Sequence, residues 1–134
     1  MLAYWPKKIK ANATSKHISA FWDFLPTVCE IAQIPKPQNT DGISFLPALL
    51  GEKQKNHEYL YWEFSNRGGT QAVRLGDWKG IRLKMSNNAE APIELYNLAS
   101  DIGEQKDIAA ENPEIVERIS NIMETAHTLS LIHI

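Results

Sequence analysis

The chain has 134 residues, 43% hydrophobic and 22% charged, a composition that suits one soluble domain with its own core and excludes disordered, collagen-like and low-complexity classes. Its net charge is −2, and its largest basic cluster is the short run Lys7, Lys8 and Lys10, too little to follow a phosphate backbone, so nucleic acid is not expected as a partner. The single Cys29 excludes an internal disulfide and a Cys-rich zinc site, no apolar stretch has the length of a membrane span, and Met1 opens no signal pattern.

Leu2 to Trp5 reads as a short strand stopped by Pro6. A strand starting there without a turn or cap is an unpaired edge, which leads to the expectation of neighbours missing from this sequence. Pro26 suits the first position of a helix whose apolar face is Val28, Cys29, Ile31 and Ala32, ended by Ile34-Pro35-Lys36-Pro37. Residues 38–42 are turn chemistry, and Ser44 caps a short helix Phe45 to Leu50 closed by Gly51. From Tyr59 the period changes to two, giving strands Tyr59 to Phe64, Gln71 to Leu75, Trp78 to Met85 and Ile93 to Leu98.

Gly76-Asp77 makes a tight hairpin that sets Leu75 opposite Trp78, Ala72 opposite Ile81 and Arg74 opposite Lys79. The last pair is like-charged and calls for a carboxylate beside it, such as Glu63 or Glu94. Asn112 as cap, Pro113 at the first helical position and the stripe Ile115, Val116, Ile119, Ile122, Met123 and Ala126 define a closing amphipathic helix.

A self-contained catalytic set is not found. The histidines His17, His57, His127 and His133 form no i, i+4 pair and have no carboxylate at a metal-ligand spacing. His17 reads first as a hydrogen-bonded loop histidine, and Cys29, among apolar neighbours on a helix, as a small core hydrophobe. The aromatic strand followed by Ser65-Asn66-Arg67-Gly68-Gly69 is either a ligand surface, with Arg67 reading a carboxylate or sulfate, or a sheet face with a solvated loop.

The ordered motifs Tyr4-Trp5-Pro6, Asp23-Phe24-Leu25-Pro26-Thr27, Asp41-Gly42-Ile43-Ser44-Phe45-Leu46-Pro47, Tyr61-Trp62-Glu63-Phe64, Gly76-Asp77-Trp78-Lys79 and Glu94-Leu95-Tyr96-Asn97-Leu98 closely resemble the C-terminal part of formylglycine-dependent sulfatases of the arylsulfatase type, within the alkaline-phosphatase-like superfamily. The resemblance runs from about residue 2 to residue 128. It implies an α+β architecture: a four-stranded antiparallel sheet with a packed C-terminal helix (58–128), preceded by the tail of a larger α/β domain (1–57, one strand and short helices). A tail at 129–134 reads as non-native, in the manner of adapter read-through.

The resemblance also implies sulfate ester hydrolysis, with sulfated glycans or aryl sulfates as substrates and the rest of a sulfatase chain as partner. By family the location is periplasmic, extracellular or lysosomal, with no signal in this stretch. Calcium and formylglycine are expected in the missing N-terminal part, because Cys29 is followed by Glu30-Ile31-Ala32-Gln33 and not by the family's x-Pro-x-Arg. No catalytic or metal residue carries over, so the chain alone is expected to be inactive. Glu63, Asn66, Arg67, Gln71 and His17 are the substrate-contact candidates. The alternative is a stand-alone, non-catalytic glycan-binding or interaction module derived from the same subdomain.

Overall fold

The computed structural model describes residues 1–65, 68–85, 88 and 91–127, which divide after His57 into two compact units. The expected non-native tail at 129–134 lies outside the described residues. Among the described residues no helix is long and apolar enough to cross a membrane.

In the first unit, a 3-10 turn at Phe21–Asp23 runs into helix α1, Phe24–Ile31. The helix starts two residues before Pro26, which is tolerated because the first turn leaves its N–H groups without intrahelical partners. Its end is a Schellman arrangement: Gln33 lies at φ 57, its N–H bonds Glu30 O at 3.2 Å, and Ile34 N–H bonds Cys29 O at 3.0 Å. Pro26, Thr27 and Cys29 are buried. Val28, Ile31 and Ala32, expected on a core face with Cys29, are exposed instead, because the helix buries its Pro26, Thr27 and Cys29 side.

Helix α2 spans Leu46–Leu50, with Ser44 Oγ accepting from Leu46 N–H at 3.2 Å and Gly51 closing it at φ 77. The strand expected at Leu2 to Trp5 does not form. Trp5 O accepts from Lys8 and Ile9 N–H in a tight turn, and among the described residues no strand pairs with 2–5. An extended segment becomes a strand only when a neighbour completes its ladder.

The second unit is an antiparallel meander in the order β1 (Leu60–Phe64), β2 (Thr70–Leu75), β3 (Trp78–Leu83) and β4 (Ile93–Asn97), covered on one face by helix α3 (Pro113–Ala126). The register places Leu75 opposite Trp78, Ala72 opposite Ile81 and Arg74 opposite Lys79. Period two sends Val73, Ile93 and Leu95 toward α3, where they pack against Ile119 and Met123. Gly80 lies between Val73 and Leu95 in the ladder. Ile119 rests directly on it: a Cβ on Gly80 would come within 2.6 Å of Ile119 Cγ2.

The charge beside Arg74 and Lys79 is balanced differently from the expectation. Lys79 Nζ meets Glu104 at 2.6 Å, and Arg74 Nε donates to Gly76 O at 2.7 Å. Glu63 has the parity of Tyr61 and Gln71 and so points to the helix-covered face, away from Arg74. Glu94 accepts the Tyr96 hydroxyl at 2.8 Å, and that bond, with burial, pushes the phenol up to about 12.

Candidate functional site

Of the five sequence candidates, two converge. Glu63 and Gln71 are ladder partners on β1 and β2, facing the last turns of α3. Between them stands Tyr61, whose hydroxyl donates to Glu63 Oε2 and accepts from Gln71 Nε2 at 2.9 Å. Buried Gln71 turns its Oε1 toward Arg82 Nη1 at 3.5 Å, and Arg82 Nη2 donates to Ser120 Oγ at 3.0 Å. His127 Nδ1, just past the end of α3, lies 2.8 Å from Glu63 Oε2. The polar chain therefore ties three strands to the C-terminal half of the helix. Asn66 and Arg67 fall outside the described residues, and His17 belongs to the first unit.

Burial and the hydrogen bond to Glu63 push the Tyr61 phenol up to about 12, so it stays a protonated donor near neutral pH. Burial alone would raise the Glu63 carboxyl, but the bonds from Tyr61 and His127 and the His127 charge outweigh it and hold the carboxyl low. Cys29, the one thiol, is buried. Among the described residues no three His, Cys, Asp or Glu side chains gather as a metal-holding group.

Tyr61, Arg82, Ser120 and His127 are the members that sequence reading missed. Signals in the sequence point to two of them. Tyr61 shares the parity of Glu63, and His127 follows Met123 at i+4, on the stripe already drawn.

A stability test follows from Glu63. Its lowered carboxyl contributes stability that is fully present above the ordinary value of 4.5 and is lost as the pH falls through the lowered one. Glu63→Gln is expected to lower stability at pH 7 by well under ~1 kcal/mol, because the pair is partly solvated. The gap to wild type should close as the pH falls toward 3, read from urea midpoints at each pH. A gap that widens on acidification would contradict this.

The second pair outside the sequence reading is in the first unit. Asp23, fully buried, accepts from Ala20 N–H at 2.7 Å, Ile43 N–H at 2.8 Å and His57 Nε2 at 2.8 Å. Thr27 Oγ1 bonds Asp23 O at 2.7 Å and accepts from Phe45 N–H at 3.0 Å. His57 thus takes a carboxylate partner 34 residues away in sequence, far outside any metal-ligand spacing. The group holds the 3-10 turn, the loop before α2 and the end of the unit in one place.

Comparison with known proteins extends these observations. The family model described as N-sulphoglucosamine sulphohydrolase, C-terminal, matches residues 1–129. The N-acetylgalactosamine-6-O-sulfatase of Bacteroides thetaiotaomicron is 27% identical over 136 residues, covering 92% of this chain and 26% of that protein. Arylsulfatase G of Rattus norvegicus is 28% identical over 137 residues, covering 90% and 26%. A solved structure in complex with its substrate D-glucosamine-2-N,6-O-disulfate matches with a TM-score of 0.74 at 25% identity, covering 91% of this chain and 26% of that one. The chain spans about a quarter of the length of these relatives. Since the family match takes in both compact units, the chain belongs to the sulfatases, through their N-sulphoglucosamine sulphohydrolase C-terminal family.

Proposed function

We propose that this chain works as the C-terminal part of a sulfate-ester hydrolase acting on sulfated glycans, giving shape to the substrate cleft and stability to the enzyme while the catalytic residues lie in the remaining part. The observation that carries this reading is the family match over residues 1–129 in a chain whose described residues gather no metal-holding group and bury their one cysteine. Calcium and formylglycine belong, on this reading, to the part of the enzyme that these residues do not supply. Sulfated amino sugars are favoured as substrates by the names of the relatives, one acting on 6-O-sulfated N-acetylgalactosamine and one holding a disulfated glucosamine.

Within the chain, the segment Glu63 to Gln71 is the proposed substrate-contacting edge, with Arg67 as its anion reader. In an enzyme completed by the large part of a sulfatase, Arg67→Ala should lower kcat/KM on an anionic sugar sulfate by on the order of tenfold or more, the loss of a charge-assisted contact to the anionic ring. A small aryl sulfate that does not reach the loop should be nearly unaffected. Equal losses on both substrates, or no loss on either, would overturn the assignment of Arg67.

A further inference from the structure

Of the nine asparagines, Asn12 alone is followed two residues on by a serine or threonine, in Asn12-Ala13-Thr14. This is the acceptor pattern for N-glycosylation, and Ala13 meets its further condition, that the middle residue is not proline. Three residues in such an order also arise by chance, so the place of the segment in the fold decides whether it can act. Asn12 lies in the first unit, in a turn closed by Ala13 N–H on Lys10 O at 3.3 Å, with its backbone at φ 59. Asparagine is one of the few residues besides glycine that enter this left-handed region readily. Residues 11–16 are all exposed, and from 13 to 20 the chain forms neither helix nor strand. Among the described residues no hydrogen bond takes up the Asn12 amide or the Thr14 hydroxyl. A helix would turn side chains two residues apart to different sides, and a paired strand would tie up the backbone between them. An exposed turn running into irregular chain leaves amide and hydroxyl open to one catalyst.

We propose that Asn12 is an N-glycan acceptor, taking an oligosaccharide from a lipid-linked diphosphate donor. Asn12 Nδ2 attacks the anomeric carbon of the donor's first sugar. The nitrogen–carbon bond forms as the bond from that carbon to the diphosphate oxygen breaks, the lipid diphosphate leaves with the electron pair, and one Nδ2 proton passes to a base of the transferring enzyme. Asn12 serves as acceptor whether or not the chain serves a sulfatase.

The test is translation of the full chain, behind a cleavable secretion signal, with microsomal membranes; signal cleavage marks the chains that have entered the lumen, and only these are scored. A single upward mass shift is expected. Peptide N-glycosidase should remove it and leave an aspartate at position 12, read by mass spectrometry in the tryptic peptide 11–16. Asn12→Gln, Thr14→Ala and Ala13→Pro should each abolish the shift, and Thr14→Ser should keep it. Because residue 12 is exposed, the glycosylated chain and the Asn12→Gln chain should unfold at the same urea concentration. Signal-cleaved chains at the unmodified mass, or a shift that survives Asn12→Gln, would overturn the assignment. A glycan that lowers the urea midpoint would overturn the placement of Asn12 on an open surface.

Discussion

Asp23→Ala is expected to destabilise the first unit by roughly 3–5 kcal/mol, the usual result of removing one member of a buried polar pair. Three donors converge on this carboxylate, from Ala20, Ile43 and His57, and all three lose their partner with it. His57 keeps only 11% of its side chain exposed, so its ring would face an apolar gap. Asp23→Asn should fall between wild type and alanine. Its one oxygen can still serve Ile43 and His57, while its amide group opposes the Ala20 N–H. Urea unfolding of the three chains, followed by tryptophan fluorescence, gives the ordering directly. An alanine variant within about 1 kcal/mol of wild type would show that the group is not the tie described.

Gly80→Val is expected to be as damaging in the second unit. A Cβ at Gly80 would lie 2.6 Å from Ile119 Cγ2, 3.0 Å from Ile119 Cδ1 and 3.2 Å from Ile93 Cγ2. Ile119 is fully buried and β-branched, with one strongly preferred χ1 in a helix, so it has little room to turn aside. The relief left is for α3 to lift from the sheet, which loosens Met123 as well and pulls His127 from Glu63. Overpacking of this kind costs about 1–3 kcal/mol for one added carbon, and valine adds three. Gly80→Ala should therefore lose about 1–3 kcal/mol and Gly80→Val more. Ile119→Ala in the Gly80→Val background should recover part of the loss, a coupling that a double-mutant cycle reads. Independent, additive losses would contradict direct contact.

The parts of this fold that were legible are those set by local chemistry. Gly76-Asp77 fixes the hairpin register, because a two-residue turn leaves one way to pair the flanking strands. Asn112-Pro113 and the spacing from Ile115 to Met123 give the helix and its buried side. The parts that were not legible depend on pairing across long separations. Asp23 meets His57 34 residues on, and Glu63 meets His127 64 residues on, with no local period linking either pair.

Val28 and Ile31 show the converse. Periodicity says that a face is apolar, but what covers it is decided elsewhere, and these two side chains are 42% exposed. At the candidate site the sequence yields Glu63 and Gln71, since strand parity and the aromatic cluster point there. Arg82 and Ser120 join only through the packing of α3 on the sheet.

The most direct test of the central claim, that the chain contributes structure and recognition to a sulfatase whose reacting groups lie elsewhere, is sulfate release measured on the purified chain. D-glucosamine-2-N,6-O-disulfate and 4-nitrophenyl sulfate serve as substrates, with calcium supplied and, in parallel, with the large part of a sulfatase added. No release above buffer is expected from the chain alone, with or without calcium, and release is expected once the large part is present. Turnover that stays with the chain through repeated chromatography would contradict it.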